Sequence, residues 1–114
     1  MPVVSVIIPT YNREAATVRA LESVFAQSFR EIEVVVVDDG STDDMSRLRE
    51  RASELGAQWI SIDHSGVSRA RNMGVANSSA RWLAFLDSDD LWLPQKLAKQ
   101  MSYLSVHPEL RICQ

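Results

Sequence analysis

The sequence predicts an α/β fold: a doubly wound, mostly parallel β-sheet with helices on both faces. Two observations support this prediction. Short, nearly continuous apolar runs, the first two strongly β-branched, alternate with amphipathic stretches along the 114 residues. Strands covered by helices on both faces have this uniformly apolar character, whereas half-exposed strands alternate apolar and polar side chains. The resulting order, β-α-β-α-β-α-β-α, implies parallel strands joined by right-handed crossovers.

Four apolar segments are predicted strands, and they read VVSVIIP (3–9), IEVVVV (32–37), AQWISI (57–62) and RWLAFL (81–86). Near the end of the chain, HPELRICQ (107–114) begins like a further apolar element. Because Gln114 cuts this element short, we expect the sequence to be part of a longer protein.

The segments between the strands have helical periodicity, and they are EAATVRALESVFAQ (14–27), SRLRERASEL (46–55), SRARNMGVAN (68–77) and LPQKLAKQMSYLSVH (93–107). In the first of them, Val18, Leu21 and Phe25 recur at i, i+3 and i+7, which places them on one helix face. Pro94 is predicted near the first position of the last helix, where a missing N–H has no consequence.

Composition narrows the functional classes. Hydrophobic residues make up 46% and charged residues 24% of the sequence, as in a globular protein, and its length predicts one domain over residues 1–114. The net charge of −3 gives no electrostatic case for nucleic acid binding. Cys113 is the only cysteine, and the sequence has neither a signal peptide pattern nor an apolar run long enough for a membrane span. We therefore expect a cytoplasmic domain.

A polar motif follows each predicted strand: PTYN, DDGSTDD, DHSGVS and DSDD, in chain order. In an open parallel sheet, ligands bind outside the carboxyl ends of the strands, so these motifs are predicted to meet at one edge. This convergence is the strongest functional signal in the sequence, since no single motif is convincing alone.

The DDGSTDD motif has two interpretations. Asp38 and Asp39 at a strand end can accept hydrogen bonds from the N–H or hydroxyl groups of a ligand, and Gly40 permits a tight turn. Alternatively, the stretch serves only to cap the next helix, through Ser41, Thr42 or Asp43. One carboxylate is enough for a cap, so the adjacent pair favours an additional role.

The DSDD motif crowds Asp87, Asp89 and Asp90 into four positions after a predicted buried strand. Like charges this close repel one another, and a divalent cation compensates them well. Mg²⁺ and Mn²⁺ prefer oxygen ligands, and Mg²⁺ typically takes one or two carboxylates together with substrate phosphates. The alternative is an exposed acidic turn that caps the following helix.

Further candidates come from the other two motifs. Arg69 and Arg71 lie near a predicted helix start, and the planar guanidinium suits phosphate; a solvated helix face is the alternative, more so for Arg69. Tyr11 could stack on a flat ring or simply contact its own loop. His64 could be a ligand or a base, although a single loop histidine is more often neither. Together the motifs predict a metal-dependent pocket for a nucleotide diphosphate.

The segments VSVIIPTYNRE, VVVVDDGSTDD, GVSRARNMG and FLDSDDLWLPQKL, in this order, resemble the family 2 glycosyltransferases, which have the GT-A fold. The resemblance covers essentially the whole chain. It implies the nucleotide-sugar-binding half of an enzyme that transfers a sugar from a nucleotide diphosphate donor, often UDP-linked, to an acceptor with inversion. At the family level it also implies cell-envelope polysaccharide or glycolipid synthesis, with the full-length protein at the inner face of the cytoplasmic membrane.

The resemblance also implies roles for individual residues. The nucleobase pocket would be lined by Pro9, Thr10 and Tyr11. Asp39 would bond the base, with Asp38 beside it.

Arg71 would approach the base or the diphosphate. Asp87 and Asp89 form the D-x-D pattern of the family, and the metal ligands, for Mn²⁺ or Mg²⁺, would be Asp89 and Asp90. Members often have a Gly-Gly pair before the S-x-A-R-N segment; here the stretch is HSGVS, and His64 and Ser65 are expected to change the shape of that loop. The catalytic base would lie beyond residue 114, so no residue here is assigned to it.

Two other enzyme or signalling classes remain open at this point. A receiver-type phospho-acceptor domain also places acidic residues around Mg²⁺, but the only lysines, Lys96 and Lys99, lie on a predicted helix. A sugar nucleotidyltransferase would need a glycine-rich loop after the first strand, which PTYNREA does not provide. A non-catalytic half that binds nucleotide or forms a homo-oligomer is the third alternative.

Overall fold

The computed structural model describes residues 2–106, in which four strands and four helices alternate. In chain order these are β1 (Val4–Thr10), α1 (Glu14–Phe25), β2 (Ile32–Asp39), α2 (Ser46–Leu55), β3 (Gln58–Ile62), α3 (Val67–Ala76), β4 (Trp82–Phe85) and α4 (Lys96–Val106). The order of elements agrees with the prediction. The apolar element predicted at 107–114 lies outside the described residues.

The strands form one sheet in the order β3-β2-β1-β4. All three neighbouring pairs are parallel, and Val4 of β1 pairs with Ile32 of β2 on one side and with Trp82 of β4 on the other. The predicted parallel α/β sheet is therefore confirmed. Because helices cover both faces of the sheet, the central strand β1 is buried along its whole length, which explains why it is mostly apolar, with Ser5 and Thr10 as its buried polar residues.

Helices cover both faces of the sheet, as predicted. One core contains side chains of α1, α2 and α4 together with Val4, Val6 and Ile8 of β1. The second core is smaller and joins α3 to Val35 and Val37 of β2. Side chains of successive strand residues point to opposite faces, which is why neighbouring residues of β2 belong to different cores.

Helix α3 lies very close to β1 because of Gly74. A Cβ atom at this position would stand 2.4 Å from Cγ2 of Ile7, so no larger residue fits without displacing the helix. This close contact holds the start of α3 over the carboxyl ends of β1 and β2.

Helix α2 begins at Ser46, with no side-chain hydrogen bond from its N-cap residue, Met45. The alternative in which Ser41, Thr42 or Asp43 caps this helix does not hold, because the next residue of the same motif, Asp44, accepts the N–H of Ser46 at 2.9 Å. In addition, Oε2 of Glu14 in α1 accepts hydrogen bonds from the backbone N–H groups of Arg47 at 2.9 Å and Leu48 at 3.2 Å. A carboxylate also matches the positive end of the helix dipole.

The segment before α4 is fastened to the end of α1. Gln27 is 1% exposed; its amide nitrogen donates to the carbonyl of Leu93 at 2.7 Å, and its amide oxygen accepts from the N–H of Leu97 at 3.0 Å. The N–H of Ser28 donates to the carbonyl of Pro94 at 2.8 Å. Pro94 therefore lies in a turn before the helix rather than at its first position, and Gln27 satisfies a free N–H of the first helical turn.

None of the helices within residues 2–106 combines the length and the apolar character needed to cross a membrane.

Candidate functional site

A pocket of about 430 Å³ lies at the carboxyl edge of the sheet, where the polar motifs meet. Its walls include most of the residues singled out in the sequence: Pro9, Thr10, Tyr11, Asp39, Arg71, Asp87 and Asp89. The other lining residues are Arg13, His64, Gly66, Val67, Ala70 and Ser88. One pocket therefore brings together residues that follow all four strands.

Two predicted site residues do not line this pocket. Asp38 accepts a hydrogen bond from the N–H of Ser41 at 3.1 Å and so stabilises the turn after β2. Asp90 is exposed, and its N–H donates to the carbonyl of Asp87 at 3.0 Å in the turn after β4. Both side chains border the site without forming its wall.

Asp39 is only 3% exposed and links β2 to the start of α3. Its Oδ1 accepts a hydrogen bond from the N–H of Ser65 at 2.9 Å, and its Oδ2 accepts one from the N–H of Gly66 at 3.0 Å. Nδ1 of His64 lies 3.2 Å from the same Oδ2. These donors compensate the carboxylate for the water that it loses on burial.

Gly40 permits the close approach of the loop after β2 to the loop after β3. A Cβ atom at Gly40 would lie 2.4 Å from the backbone nitrogen of His64, and the φ of Gly40 is +71°. His64 and Gly66 line the pocket from this second loop. A side chain at Gly40 would therefore move that loop away from its position in the pocket wall.

Tyr11 and His64 form an aromatic pair in the pocket wall. Their ring centroids are 4.1 Å apart and their planes are inclined by 25°, which is a stacked arrangement. The sequence left open whether Tyr11 stacks on a flat ring or only contacts its own loop. The ring of Tyr11 stacks on the ring of His64, which belongs to the same chain. The next residue in the loop, Asn12, has a positive φ of 51°.

Arg71 and Asp87 form an ion pair between α3 and the end of β4, with 2.8 Å between Nη2 and Oδ1. The guanidinium also lies over the ring of Phe85, with 5.9 Å from Cζ to the ring centroid. Its Nε is buried and has no hydrogen-bond partner in the part of the chain that the structure describes. An acceptor atom of a ligand would satisfy this N–H.

The sequence interpretation gave no role to Arg13, Gly66 or Val67. Arg13 directly follows the PTYN motif, and this position beside a strand-end motif was the available signal. Gly66, with a φ of +102°, is the N-cap residue that precedes α3, and its N–H donates to Oδ2 of Asp39. Arg69, by contrast, is exposed and does not line the pocket.

The carboxylates fit a divalent cation only in part. Asp87 and Asp89 both line the pocket, and Asp87 is already paired with Arg71. Within residues 2–106 there is no group of three or more histidine, cysteine, aspartate or glutamate side chains arranged to hold a metal ion. Mg²⁺ usually completes its shell with substrate phosphates and water, so one or two carboxylates suit a metal that arrives with a diphosphate.

Comparison with known proteins identifies relatives over nearly the whole chain. The model of the family described as Glycosyl transferase family 2 matches residues 5–114. An uncharacterized glycosyltransferase of Rickettsia bellii is 42% identical over 102 residues, which are 89% of this chain and 15% of that protein.

The UDP-Glc:alpha-D-GlcNAc-diphosphoundecaprenol beta-1,3-glucosyltransferase WfaP of Escherichia coli is 32% identical over 105 residues, which are 91% of this chain and 42% of that protein. The chain thus spans less than half the length of either curated relative.

Solved structures share the fold. Residues 1–349 of S. aureus TarS, in complex with UDP-GlcNAc, superpose with a TM-score of 0.85 at 31% identity, over 93% of this chain and 32% of that one. The mannosyltransferase PcManGT of Pyrobaculum calidifontis, in complex with GDP-Man and Mn²⁺, gives a TM-score of 0.78 at 28% identity, over 91% and 32%. The predicted GT-A fold is confirmed by these similarities.

Proposed function

The chain belongs to glycosyl transferase family 2, and on that premise we propose that it forms the donor-binding part of a metal-dependent, inverting glycosyltransferase. The donor is a nucleotide diphosphate sugar, with UDP as the nucleotide, and the acceptor is a hydroxyl group. The observation that carries the proposal is the pocket in which Tyr11, Asp39, Arg71 and Asp89 meet. Family membership decides against a receiver domain or a sugar nucleotidyltransferase.

The base end of the donor belongs at the side of the pocket formed by Pro9, Thr10, Tyr11 and Asp39. An aromatic ring binds the flat face of a base, and a carboxylate accepts hydrogen bonds from base N–H groups. Oδ1 of Asp39 receives one backbone N–H and retains capacity for a further hydrogen bond, whereas Oδ2 receives the N–H of Gly66 and also faces Nδ1 of His64. These features support a base that offers an N–H donor, as uracil does.

The diphosphate belongs beside Arg71. The ion pair with Asp87 holds the guanidinium in place, and the buried Nε offers an N–H that no described residue satisfies. A phosphate or ribose oxygen would accept this hydrogen bond, and a charge-assisted bond of this kind is stronger than a neutral one.

Asp89 is the best placed residue for holding a divalent metal, because it lines the pocket and, unlike Asp87, has no cationic partner among the described residues. The solved mannosyltransferase with GDP-Man and Mn²⁺ supports a metal in this family. When bound, Mn²⁺ or Mg²⁺ would supply positive charge that stabilises the departing diphosphate.

The proposed reaction is a single displacement at the anomeric carbon. The acceptor oxygen forms the new bond on one face while the bond to the diphosphate breaks on the opposite face, which inverts the configuration. The acceptor proton passes to a general base, which we place beyond residue 114. The role of residues 2–106 is to bind and orient the donor.

The acceptor class and the location of the enzyme follow from the relatives alone. WfaP is named for a sugar acceptor on diphosphoundecaprenol, a lipid carrier. By analogy, we place the full-length enzyme in cell-envelope polysaccharide or glycolipid synthesis, at the cytoplasmic face of the membrane.

The test compares two neighbouring aspartates that the structure places differently. UDP is titrated into wild type, Asp89→Asn and Asp90→Asn by calorimetry, with and without Mn²⁺. We expect Mn²⁺-dependent binding by wild type, a loss of about tenfold or more in Asp89→Asn, and a change of less than about threefold in Asp90→Asn.

Binding of UDP that is equal with and without Mn²⁺ would contradict the metal dependence. A larger loss of UDP affinity in Asp90→Asn than in Asp89→Asn would contradict Asp89 as the metal ligand and would assign that role to Asp90. No binding of UDP by folded wild type, nor by the longer chain, would overturn the nucleotide pocket.

A further inference from the structure

The aromatic wall of the pocket is made of two rings that come from different loops. Tyr11 follows β1, His64 follows β3, and their centroids lie 4.1 Å apart. Both residues line the pocket. Because they stack, one face of each ring is covered by the other ring, and only the outer faces of the pair are open to a ligand.

His64 is held in this position from two sides. Its backbone lies against Gly40, closely enough that a Cβ at Gly40 would stand 2.4 Å from its nitrogen. Its Nδ1 lies 3.0 Å from the carbonyl oxygen of Asp39 and 3.2 Å from Oδ2 of Asp39. Since both of these atoms are acceptors, Nδ1 carries the hydrogen, and the ring is fixed in one orientation.

Tyr11 is fixed by its neighbour. The amide oxygen of Asn12 accepts hydrogen bonds from the N–H groups of Thr42 at 2.9 Å and Asp43 at 3.0 Å, and the backbone N–H of Asn12 donates to Oγ of Ser41 at 2.9 Å. These hydrogen bonds hold the Tyr11 loop next to His64, and fixing a recognition surface in this way reduces the entropic cost of binding.

We propose that His64 is a donor-recognition residue, and that the nucleobase adds to the Tyr11–His64 pair as the third ring of a stack. The proposal rests on the proposed function, since it assigns a role within the same donor site. His64 supports the stack with its ring, and the hydrogen bond from its Nδ1–H to the carbonyl oxygen of Asp39 holds that ring in place. His64 thus adds an aromatic surface to the pocket.

Two substitutions separate the ring from the hydrogen bond. His64→Phe keeps a ring that can stack on Tyr11 but removes the Nδ1–H donor. His64→Asn keeps an N–H donor close to Asp39 but removes the ring. Inorganic pyrophosphate, which has no base, serves as the matched ligand for UDP.

Each protein is titrated with UDP and with pyrophosphate in the presence of Mn²⁺, and its thermal unfolding is recorded. We expect His64→Phe to bind UDP within about twofold of wild type, and His64→Asn to bind it roughly three- to tenfold more weakly. Pyrophosphate affinity should stay within about twofold in both variants, because the ring pair does not contact the diphosphate.

Three results would overturn the proposal. Tighter UDP binding by His64→Asn would show that His64 occupies the place of the base. Equal UDP binding by wild type and both variants would show that the ring has no role in recognition. Parallel losses of UDP and pyrophosphate affinity in His64→Asn would indicate general damage to the pocket. Failure of wild type to bind UDP while it binds pyrophosphate would instead overturn the proposed function, and the role of His64 with it.

Discussion

The side chain of Asn12 is joined to Thr42 by two hydrogen bonds, since its amide oxygen accepts from the N–H of Thr42 at 2.9 Å and its amide nitrogen donates to Oγ1 of Thr42 at 3.2 Å. The loop after β1 is thereby fastened to the loop after β2. Asn12 also has a positive φ of 51°, which asparagine tolerates better than most residues.

Substitution of Asn12 should therefore separate two effects. Asn12→Gly keeps the backbone conformation but loses the side-chain hydrogen bonds, so the free energy of unfolding should fall by roughly 1–3 kcal/mol. The free energy of unfolding of Asn12→Ala should be lower by about 1 kcal/mol more, because a positive φ is sterically unfavourable for alanine. Denaturant titration of the two variants measures the difference, and equal stabilities would contradict the backbone contribution.

The adjacent carboxylates of Asp38 and Asp39 should contribute unequally to the free energy of unfolding and to UDP binding. Asp39→Asn can keep only one of its two acceptor oxygens for Ser65 and Gly66, so we expect a loss of roughly 1–3 kcal/mol in unfolding free energy and weaker UDP binding. Asp38→Asn keeps the acceptor for Ser41 and should change stability by about 0.5 kcal/mol or less. A larger effect at Asp38 would contradict the observed placement.

Gly40 and Gly56 form a matched pair, since both have a positive φ, of +71° and +84°. Alanine at Gly56 meets no atom within 4 Å and should reduce the unfolding free energy by only about 1–2 kcal/mol. Alanine at Gly40 meets the backbone of His64 and should be clearly more destabilising, with weaker UDP binding as well. Thermal unfolding and UDP titration of both variants test this, and equal losses would exclude the predicted backbone contact.

Gln27 should contribute strongly to the stability of the protein, because its side chain holds the segment that leads into α4. Gln27→Leu leaves the buried N–H of Leu97 without an acceptor, at a cost of roughly 1–3 kcal/mol, and removes one donor to the carbonyl of Leu93, which keeps the N–H of Lys96. The control is Gln95→Leu, at an exposed position of the same turn, which should change stability by about 0.5 kcal/mol or less. Chemical denaturation compares the two, and similar losses would refute a specific role for Gln27.

Glu33 should make stability depend on pH in the acid range. Although burial alone would raise the pKa of Glu33, hydrogen bonds from Ser5, Ser79 and Ala80 lower it below its ordinary value of 4.5. Its contribution is therefore present above the pKa of the unfolded chain and is lost as the pH falls through the lower pKa of the folded chain. The stability difference between wild type and Glu33→Gln should shrink as the pH falls below about 4.3. Urea titrations from pH 7 to pH 3 measure it, and a constant difference would contradict the assignment.

The parallel sheet and the meeting of the four motifs could be predicted because both depend on simple rules. Uniformly apolar segments such as IEVVVV indicate strands buried on both faces, and the carboxyl ends of parallel strands lie at one edge. Asp39 and Arg71 were identified as site candidates for this reason, since each follows a strand or begins the next helix, and both line the pocket.

The division of roles within each acidic motif could not be predicted. Whether Asp38 or Asp39 enters the pocket depends on where β2 ends, and the strand continues to Asp39, two residues further than expected. The stacking of Tyr11 on His64 depends on the path of two loops, which hydrophobic periodicity does not report. Two N–H groups in the first turn of α2 are bound by Glu14, which lies far from that helix in the sequence and is brought to it only by tertiary packing.

The position of β4 at the edge of the sheet has a consequence for the order of folding. Within residues 2–106 its only strand partner is β1, and Trp82 pairs with Val4, a contact between distant parts of the chain. Because closing a long loop has a high entropic cost, the docking of β4 should be a late step. Only with this step does Asp87 reach Arg71 and Asp89 join the pocket wall, so a chain emerging during synthesis has no complete pocket until its fourth strand has docked. A nucleotide that contacts both sides of the pocket would then favour the docked state by mass action.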